Sequence, residues 1–143
     1  TATQPNAAPR ALVKGAELLS GDRIRTGDGR AQLRFADGAY VSLLPNTEFV
    51  IRDYRYDGRS DGSERSLLGL LRGSIRAVTG LIGRANKSAY QIQTPTATLG
   101  IRGTGGIIEV AGDGSTRVTG RRCSRYPHSQ VPRWRCRSGC QGC

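Results

Sequence analysis

The sequence is short of the residues that long helices, membrane spans and many catalytic sites require. It contains no methionine and a single histidine, and no cysteine precedes residue 123. No apolar run approaches the ~20 residues of a membrane-spanning helix, so the sequence predicts a soluble chain without a membrane span. Apolar residues make up only 36% of the 143 residues, whereas glycine occurs 20 times. This composition is typical of one turn-rich domain of short elements and argues against long helices.

The scarcity of histidine bears on catalysis. A Ser-His-acid or Cys-His site needs a base held rigidly against its nucleophile, whereas His128 lies among arginines in a segment rich in glycine, serine and proline. The carboxylates of residues 53–64 alternate with arginines, which favours a solvated, self-neutralising loop over a catalytic pair. The sequence therefore predicts that the protein is not an enzyme.

The four cysteines stand at positions 123, 136, 140 and 143, with the histidine between the first two. Zinc motifs usually have paired ligands at each end of a loop, and only the carboxyl-terminal cysteines have that spacing. Two disulfides in an oxidising compartment, a zinc site and no specific site all stay open for these residues. For the chain as a whole we predict no metal and no cofactor.

The positive charge comes almost entirely from arginine. Only Lys14 and Lys87 are lysines among the 22 basic residues, and 11 acidic residues leave a formal net charge of +11. A charge of this size is the footprint of salt-sensitive polyanion binding. Nucleic acids also require aromatic platforms or an element that enters a groove, and residues 1–120 offer only Tyr54 and Tyr56 beside arginines. Polyanion or nucleic-acid binding is thus the alternative function, not the first one.

Short apolar alternations predict an all-β domain over residues 11–120. Ala31, Leu33 and Phe35 point to one side of a half-buried strand, and the residues between them point to the other. Five Asp-Gly pairs supply tight turns between such segments. Strands at this short spacing indicate a single β-solenoid-like or sandwich-like domain.

Three segments do not share this alternation. Residues 1–10 are small, polar and proline-containing, and we predict a flexible arm without regular structure. Residues 52–66 are polar and contain two Asp-Gly pairs, which indicates an exposed loop or hairpin tip. The leucines of residues 67–71 fit either a buried strand or one helical turn, and the two glycines beside them make the helix the weaker interpretation.

The segment TPTATLGIRGTGG at residues 94–106 permits two interpretations. A phosphate-binding loop needs a helix behind its glycines, because the amino terminus of that helix meets the anion. The residues that follow, GGIIEVAGDG, are β-like, and neither the Walker nor the Rossmann spacing occurs. We therefore predict a strand that ends in glycines, with close backbone approach at Gly103.

Three sequence blocks, in this order, resemble the FecR-type domain of bacterial extracytoplasmic proteins. They are the GDRIRTG opening at residues 21–27, the AQLRFADG hairpin at residues 31–38 and the TPTATLGIRGT close at residues 94–104. The resemblance covers about residues 19–110. It implies an all-β module outside the cytoplasmic membrane that has no catalytic activity. In signalling members of the family such a module helps to relay a signal from an outer-membrane transporter to an anti-sigma system.

From this resemblance we expect a non-enzymatic binding or structural module that engages a protein or a surface polymer, with signal relay as the role of its best-known relatives. We expect it in the periplasm or outside a bacterial cell. The chain begins at Thr1 with neither a charged nor an apolar leader, so no signal peptide is expected within it.

Residues 121–143 depart from the family pattern. They contain six arginines and no acidic residue, and they show no alternation. We predict a basic, cysteine-containing tail that is not part of the fold. Such a tail would leave the strand near Val118 without a neighbour, so the chain would be open to oligomerisation through an exposed edge strand.

Two groups of residues are singled out for function and structure. Exposed arginines suit an acidic partner because the planar guanidinium pairs with carboxylates in a bidentate way; the candidates are Arg23, Arg25 and Arg34. In the TPTATLGIRGT segment we predict structural roles, in which the threonines cap turns or pair across strands and the arginine anchors a neighbouring turn. The residues of this motif are Thr94, Thr98, Gly100, Arg102, Gly103 and Thr104.

Overall fold

The computed structural model describes residues 1–59, 61–101 and 105–120, together with the backbone of residues 123–124. Strands account for nearly all of the regular structure of these residues, which includes one helix of five residues. The elements are β1 (Ala2–Thr3), β2 (Arg23–Arg25), β3 (Ala31–Arg34), β4 (Tyr40–Leu43), β5 (Glu48–Arg55), β6 (Arg65–Val78), α1 (Leu81–Ala85), β7 (Tyr90–Gln93), β8 (Thr98–Ile101), β9 (Gly106–Val110), β10 (Thr116–Gly120) and β11 (Cys123–Ser124).

The strands form two sheets that share β6. Sheet A has the order β1-β2-β5-β6-β7-β8-β11, and sheet B consists of β3, β4, β6, β9 and β10. Every pairing is antiparallel except that between β6 and β7, which is parallel and is reached through α1. The all-β prediction is confirmed, and the two sheets cover one core as in a sandwich.

Strand β6 connects the sheets because it bends at its centre. Its first half pairs with β5 and β7, and its second half pairs with β4 and β9. Gly73 lies at the change, with a φ of +88° that side chains rarely permit. The leucines of residues 67–71 are therefore in a strand, as the preferred interpretation had it.

The core follows the period-two pattern of the strands. In β4 the apolar residues Val41 and Leu43 are buried, and the two residues alternating with them are half-buried. The same alternation holds in β2, where Ile24 is fully buried between two exposed arginines. Side chains from both sheets meet in one cluster, whose largest members are Tyr90, Phe49, Ile24, Leu43, Leu68, Leu70, Ile75, Ile92 and Ile108.

The prediction of an arm without regular structure over residues 1–10 is wrong for Ala2–Thr3. Residues Ala2–Thr3 form β1 on the edge of sheet A, and the Ala2 side chain is fully buried in the core. The guanidinium of Arg10 lies 2.7 Å from the buried carboxylate of Asp22. This packing could not be predicted from the sequence, because the partners are far apart in the chain and no local alternation marks them.

The prediction that residues 121–143 form a tail outside the fold can be compared with the structure only at residues 123–124. The backbone of Cys123–Ser124 pairs antiparallel with Gly100 and Ile101 of β8, which is at odds with a tail wholly outside the fold. The other cysteines, at positions 136, 140 and 143, and His128 lie outside the described residues.

The glycines of residues 105–106 lead into the strand β9 and not into a helix. The phosphate-loop interpretation therefore has no structural support there.

Candidate partner-binding surface

Two of the predicted arginines bracket one carboxylate on the outer face of sheet A. Arg23 and Arg25 point outward from β2 and are exposed, while Ile24 between them is buried. Their Nη atoms lie 3.3 Å and 3.1 Å from the same Oε1 of Glu48 on the neighbouring β5. Exposed pairs of this kind contribute little to stability. They do show that this face holds a carboxylate between arginines.

The third predicted arginine belongs to a different surface. Arg34 is exposed at the end of β3, directly opposite Tyr40 of β4, on the outer face of sheet B. It makes no ion pair with any described residue. The structure therefore does not bring the three predicted arginines into one site.

The outer face of sheet A carries four further arginines that we call the arginine face: Arg52 and Arg55 on β5, and Arg65 and Arg72 on β6. Arg72 is opposite Glu48, and Arg55 is opposite Arg65. A Cβ built on Gly69 would lie 3.0 Å from Nε of Arg52, which places that side chain over the same face. All four residues are exposed, and none forms an ion pair within the described part of the chain.

The arginine face was not predicted, because residues 52–66 were interpreted as one polar loop. In the structure β5 continues to Arg55 and β6 begins at Arg65, so only residues 56–64 connect the strands. The bulge between Ile51 and Asp53 shifts the register within the segment and hides the alternation from a simple period-two search. The signal that remained was the repeated spacing of arginine and tyrosine over residues 52–56.

The acidic residues of the connecting loop are only partly as expected. Asp57 lies 3.7 Å from Nε of Arg59, and hydrogen bonds donated by the hydroxyl and backbone N–H of Ser63 lower the pKa of Asp61. Glu64 corrects the prediction of a fully solvated loop, because its side chain is buried and no described residue forms a hydrogen bond with its Oε1.

The threonine motif joins the β7–β8 turn to the β9–β10 hairpin. The Thr94 hydroxyl accepts a hydrogen bond of 3.0 Å from the N–H of Ala97 and lies 2.8 Å from the hydroxyl of Thr116. The hydroxyl of Thr96 lies 2.9 Å from that same Thr116 oxygen. Thr98 is exposed opposite Gln93. The sequence analysis did not single out Thr96 or Thr116, because their hydroxyl groups meet only through the fold, across 20 residues of chain.

The remaining motif residues divide into two groups. Gly100 is buried in β8, opposite Gln91 of β7. Arg102, Gly103 and Thr104 lie outside the described residues, so their predicted roles stay predictions.

These observations define a class of protein: a small all-β module in which two sheets cover one core and turn charged faces outward. Within residues 1–59, 61–101 and 105–120, no helix has the length and apolar character needed to cross a membrane. A family model described as "FecR protein" matches residues 22–121, the span from just before β2 to just beyond β10. The chain belongs to the FecR family, which confirms the resemblance of its three sequence blocks. Searches of curated proteins and of solved structures each found no match.

Proposed function

We propose that the protein is a non-enzymatic binding module that works outside the cytoplasm and engages a protein partner, in a role related to signal relay. The observation that carries the proposal is the FecR family match, which covers β2 to β10 of the two-sheet body. The surface supports it, because the strands present exposed arginines on both sheets and no lysines. Arginine is enriched at protein interfaces, whereas lysine is depleted there.

Site-specific photo-crosslinking tests this function. A photoreactive residue at Thr98 reports on the outer face of sheet A, and one at Gln32 reports on that of sheet B, since both positions are exposed. The labelled protein is incubated with an envelope fraction of the source cells and irradiated. We expect at least one of the two positions to give a discrete protein adduct. The exposed Lys87, in the loop after α1, is the control position. Adducts from no position, or the same adducts from all three, would contradict the proposal.

Polyanion binding is a second candidate function, favoured by the formal net charge of +11. Such binding depends on counterion release, so its affinity falls steeply as salt rises toward the physiological range. The affinity of a protein interface with an apolar centre falls less over the same range of salt. A salt titration of the captured complex therefore separates the two candidates.

A further inference from the structure

Two arginines directly oppose each other across the β5–β6 ladder. Arg55 and Arg65 are register partners, and both are exposed. Like charges in such a pair repel each other and destabilise the sheet. No carboxylate of the described residues lies within ion-pair distance of either guanidinium. An anion bound between them would relieve the repulsion.

The same face shows which anion fits. Arg23 and Arg25 hold the carboxylate of Glu48 between them at one edge, with both Nη atoms on one oxygen. This internal pair is a carboxylate seated among arginines of sheet A. Arg72 lies on the far side of Glu48, so the chain's own carboxylate occupies one end of the face. The half-buried Asp53, the register partner of Leu67, lies among the arginines beyond Glu48 but forms no ion pair in the described structure.

The dimensions of the arginine face suit an extended segment. Arg65 and Arg72 are seven residues apart on β6, which at a rise of about 3.3 Å per residue corresponds to about 23 Å. Val50 and Leu67 lie on this face between the charges, both half-buried, and neither belongs to the core cluster. An apolar centre with an arginine rim is typical of a protein interface.

Single-stranded nucleic acid fits this face poorly, because base stacking needs exposed aromatic rings. Phe49 and Tyr90 are buried in the core, and the Tyr54 ring packs on Phe35 with ring centroids 5.0 Å apart. None of these rings is available on the outer face, and Tyr56, the other tyrosine beside arginines, is half-buried in the loop that follows β5.

We propose that the arginine face, Arg52, Arg55, Arg65 and Arg72, binds an extended acidic segment of a protein partner, whose carboxylates pair with these guanidinium groups. The proposal rests on the proposed function and deepens it, since it names a surface and the chemistry of the partner. Each arginine to carboxylate contact is a charge-assisted hydrogen bond with bidentate geometry.

The test uses the full chain and a fluorescent heptapeptide of alternating glutamate and threonine. Fluorescence anisotropy is expected to show binding that weakens with salt, and no binding of the matched peptide with glutamine in place of glutamate. The double variant Arg55→Gln/Arg65→Gln is expected to bind about tenfold more weakly or worse, since each lost hydrogen bond to a charged group accounts for about that factor.

The matched control is Arg34→Gln/Arg76→Gln, which removes the same charge from exposed positions on sheet B and is expected to leave the affinity unchanged. Circular dichroism of both double variants checks that they fold. An equal loss of peptide affinity in the two variants would overturn the proposal, because net charge alone would then explain the binding. No binding of the acidic peptide would also overturn it, as would tighter binding of polyphosphate or oligo-dT at the same face.

The two failures are distinguishable. If photo-crosslinking from Gln32 captures a protein while the acidic peptide ignores the arginine face, the binding function stands and the assignment of its surface fails. If no position captures a protein, the proposed function itself fails.

Discussion

The phenol of Tyr54 donates a hydrogen bond of 3.1 Å to Oδ1 of Asp37, a carboxylate that is only 2% exposed. The same phenol oxygen accepts a hydrogen bond of 3.1 Å from the Asp37 N–H. The other carboxylate oxygen accepts from the N–H of Ile82 in α1, at 3.3 Å. Asp37 thus ties the β3–β4 turn, β5 and α1 together through hydrogen bonds, without a cation among the described residues.

We expect Tyr54→Phe to lower the free energy of unfolding by about 1–3 kcal/mol, because a buried acceptor that loses its donor keeps its desolvation cost. Chemical denaturation measures the change. Tyr56→Phe is the matched control, since the Tyr56 hydroxyl makes no hydrogen bond in the described structure, and its midpoint should stay near that of the wild type. Equal midpoints for the two variants would show that the Tyr54 contact contributes nothing.

Alkaline pH acts on the same cluster. Burial raises the pKa of Tyr90 and of Tyr54 above the usual value for tyrosine, and the nearby Asp37 charge raises both further. The unfolded chain therefore loses these protons first, near pH 10. Below that pH the stability is unaffected, and above it the stability falls as pH rises, by about 1.4 kcal/mol per pH unit for the fully buried Tyr90.

Denaturation midpoints taken between neutral pH and pH 11 check this expectation. In Tyr90→Phe the alkaline fall should be shallower, and at neutral pH the variant should be no less stable, because the Tyr90 hydroxyl is buried without a hydrogen-bond partner among the described residues. If the stability of Tyr90→Phe falls as steeply with pH as that of the wild type, titratable groups other than Tyr90 cause the alkaline effect.

The sequence predicted the hairpins better than the long-range contacts. Strand β3 alternates as expected, with Leu33 buried between exposed neighbours, because the pattern of a half-buried strand is local. Asp37 was assigned to a turn, which is correct, but its contacts with Tyr54 and α1 join residues 17 and 45 positions apart. Residue type alone does not distinguish a solvated turn aspartate from this buried one.

The candidate surface was predicted less well than the fold, for a related reason. Arg23 and Arg25 were recognised because they alternate with one apolar residue in a short strand. Arg55 and Arg65 were not, because their segment is polar on both sides and only pairing across a nine-residue connection brings them together. Which charges share a face depends on register, and the bulge in β5 changes that register.

The bend of β6 at Gly73 provides a test of the shared strand. The residue has a φ of +88°, and a Cβ there would lie 2.7 Å from Cα of Thr47. Gly38 has a φ of +82° but open space around its Cβ position. We expect Gly38→Ala to cost about 1–2 kcal/mol, the cost of left-handed backbone alone.

Gly73→Ala should cost several-fold more than Gly38→Ala, because the new methyl group also collides with backbone that is fixed by two sheets. Thermal unfolding of the two variants under one buffer condition gives the comparison. Similar midpoints would mean that the backbone at Thr47 moves aside easily, and that the close approach at Gly73 does not constrain the fold.

The first ten residues give a fourth stability test. Arg10 donates to the Asp22 carboxylate and to the carbonyl of Glu17, and Asp22 is fully buried. We expect Arg10→Ala to lower the free energy of unfolding by about 1–3 kcal/mol, since it leaves a buried carboxylate with fewer donors. Arg30→Ala, at an exposed position that forms no ion pair with described residues, is the control. An unchanged midpoint in Arg10→Ala would show that the contact between Arg10 and Asp22 contributes nothing to stability.

The opposed arginines predict a conflict between stability and binding. Because Arg55 and Arg65 are like charges in register, Arg55→Gln should stabilise the isolated protein by about 0.2–1 kcal/mol, the usual size of a cross-strand pair effect. The same change should weaken capture of an acidic segment. Arg76→Gln removes an equal charge opposite the apolar Ile107 and should leave stability nearly unchanged. Thermal unfolding at low salt compares the two, and the difference should shrink at high salt as repulsion is screened. A destabilised Arg55→Gln variant would instead mean that the arginine stem packs on sheet A, so that its place on the face is explained by structure and not by a partner.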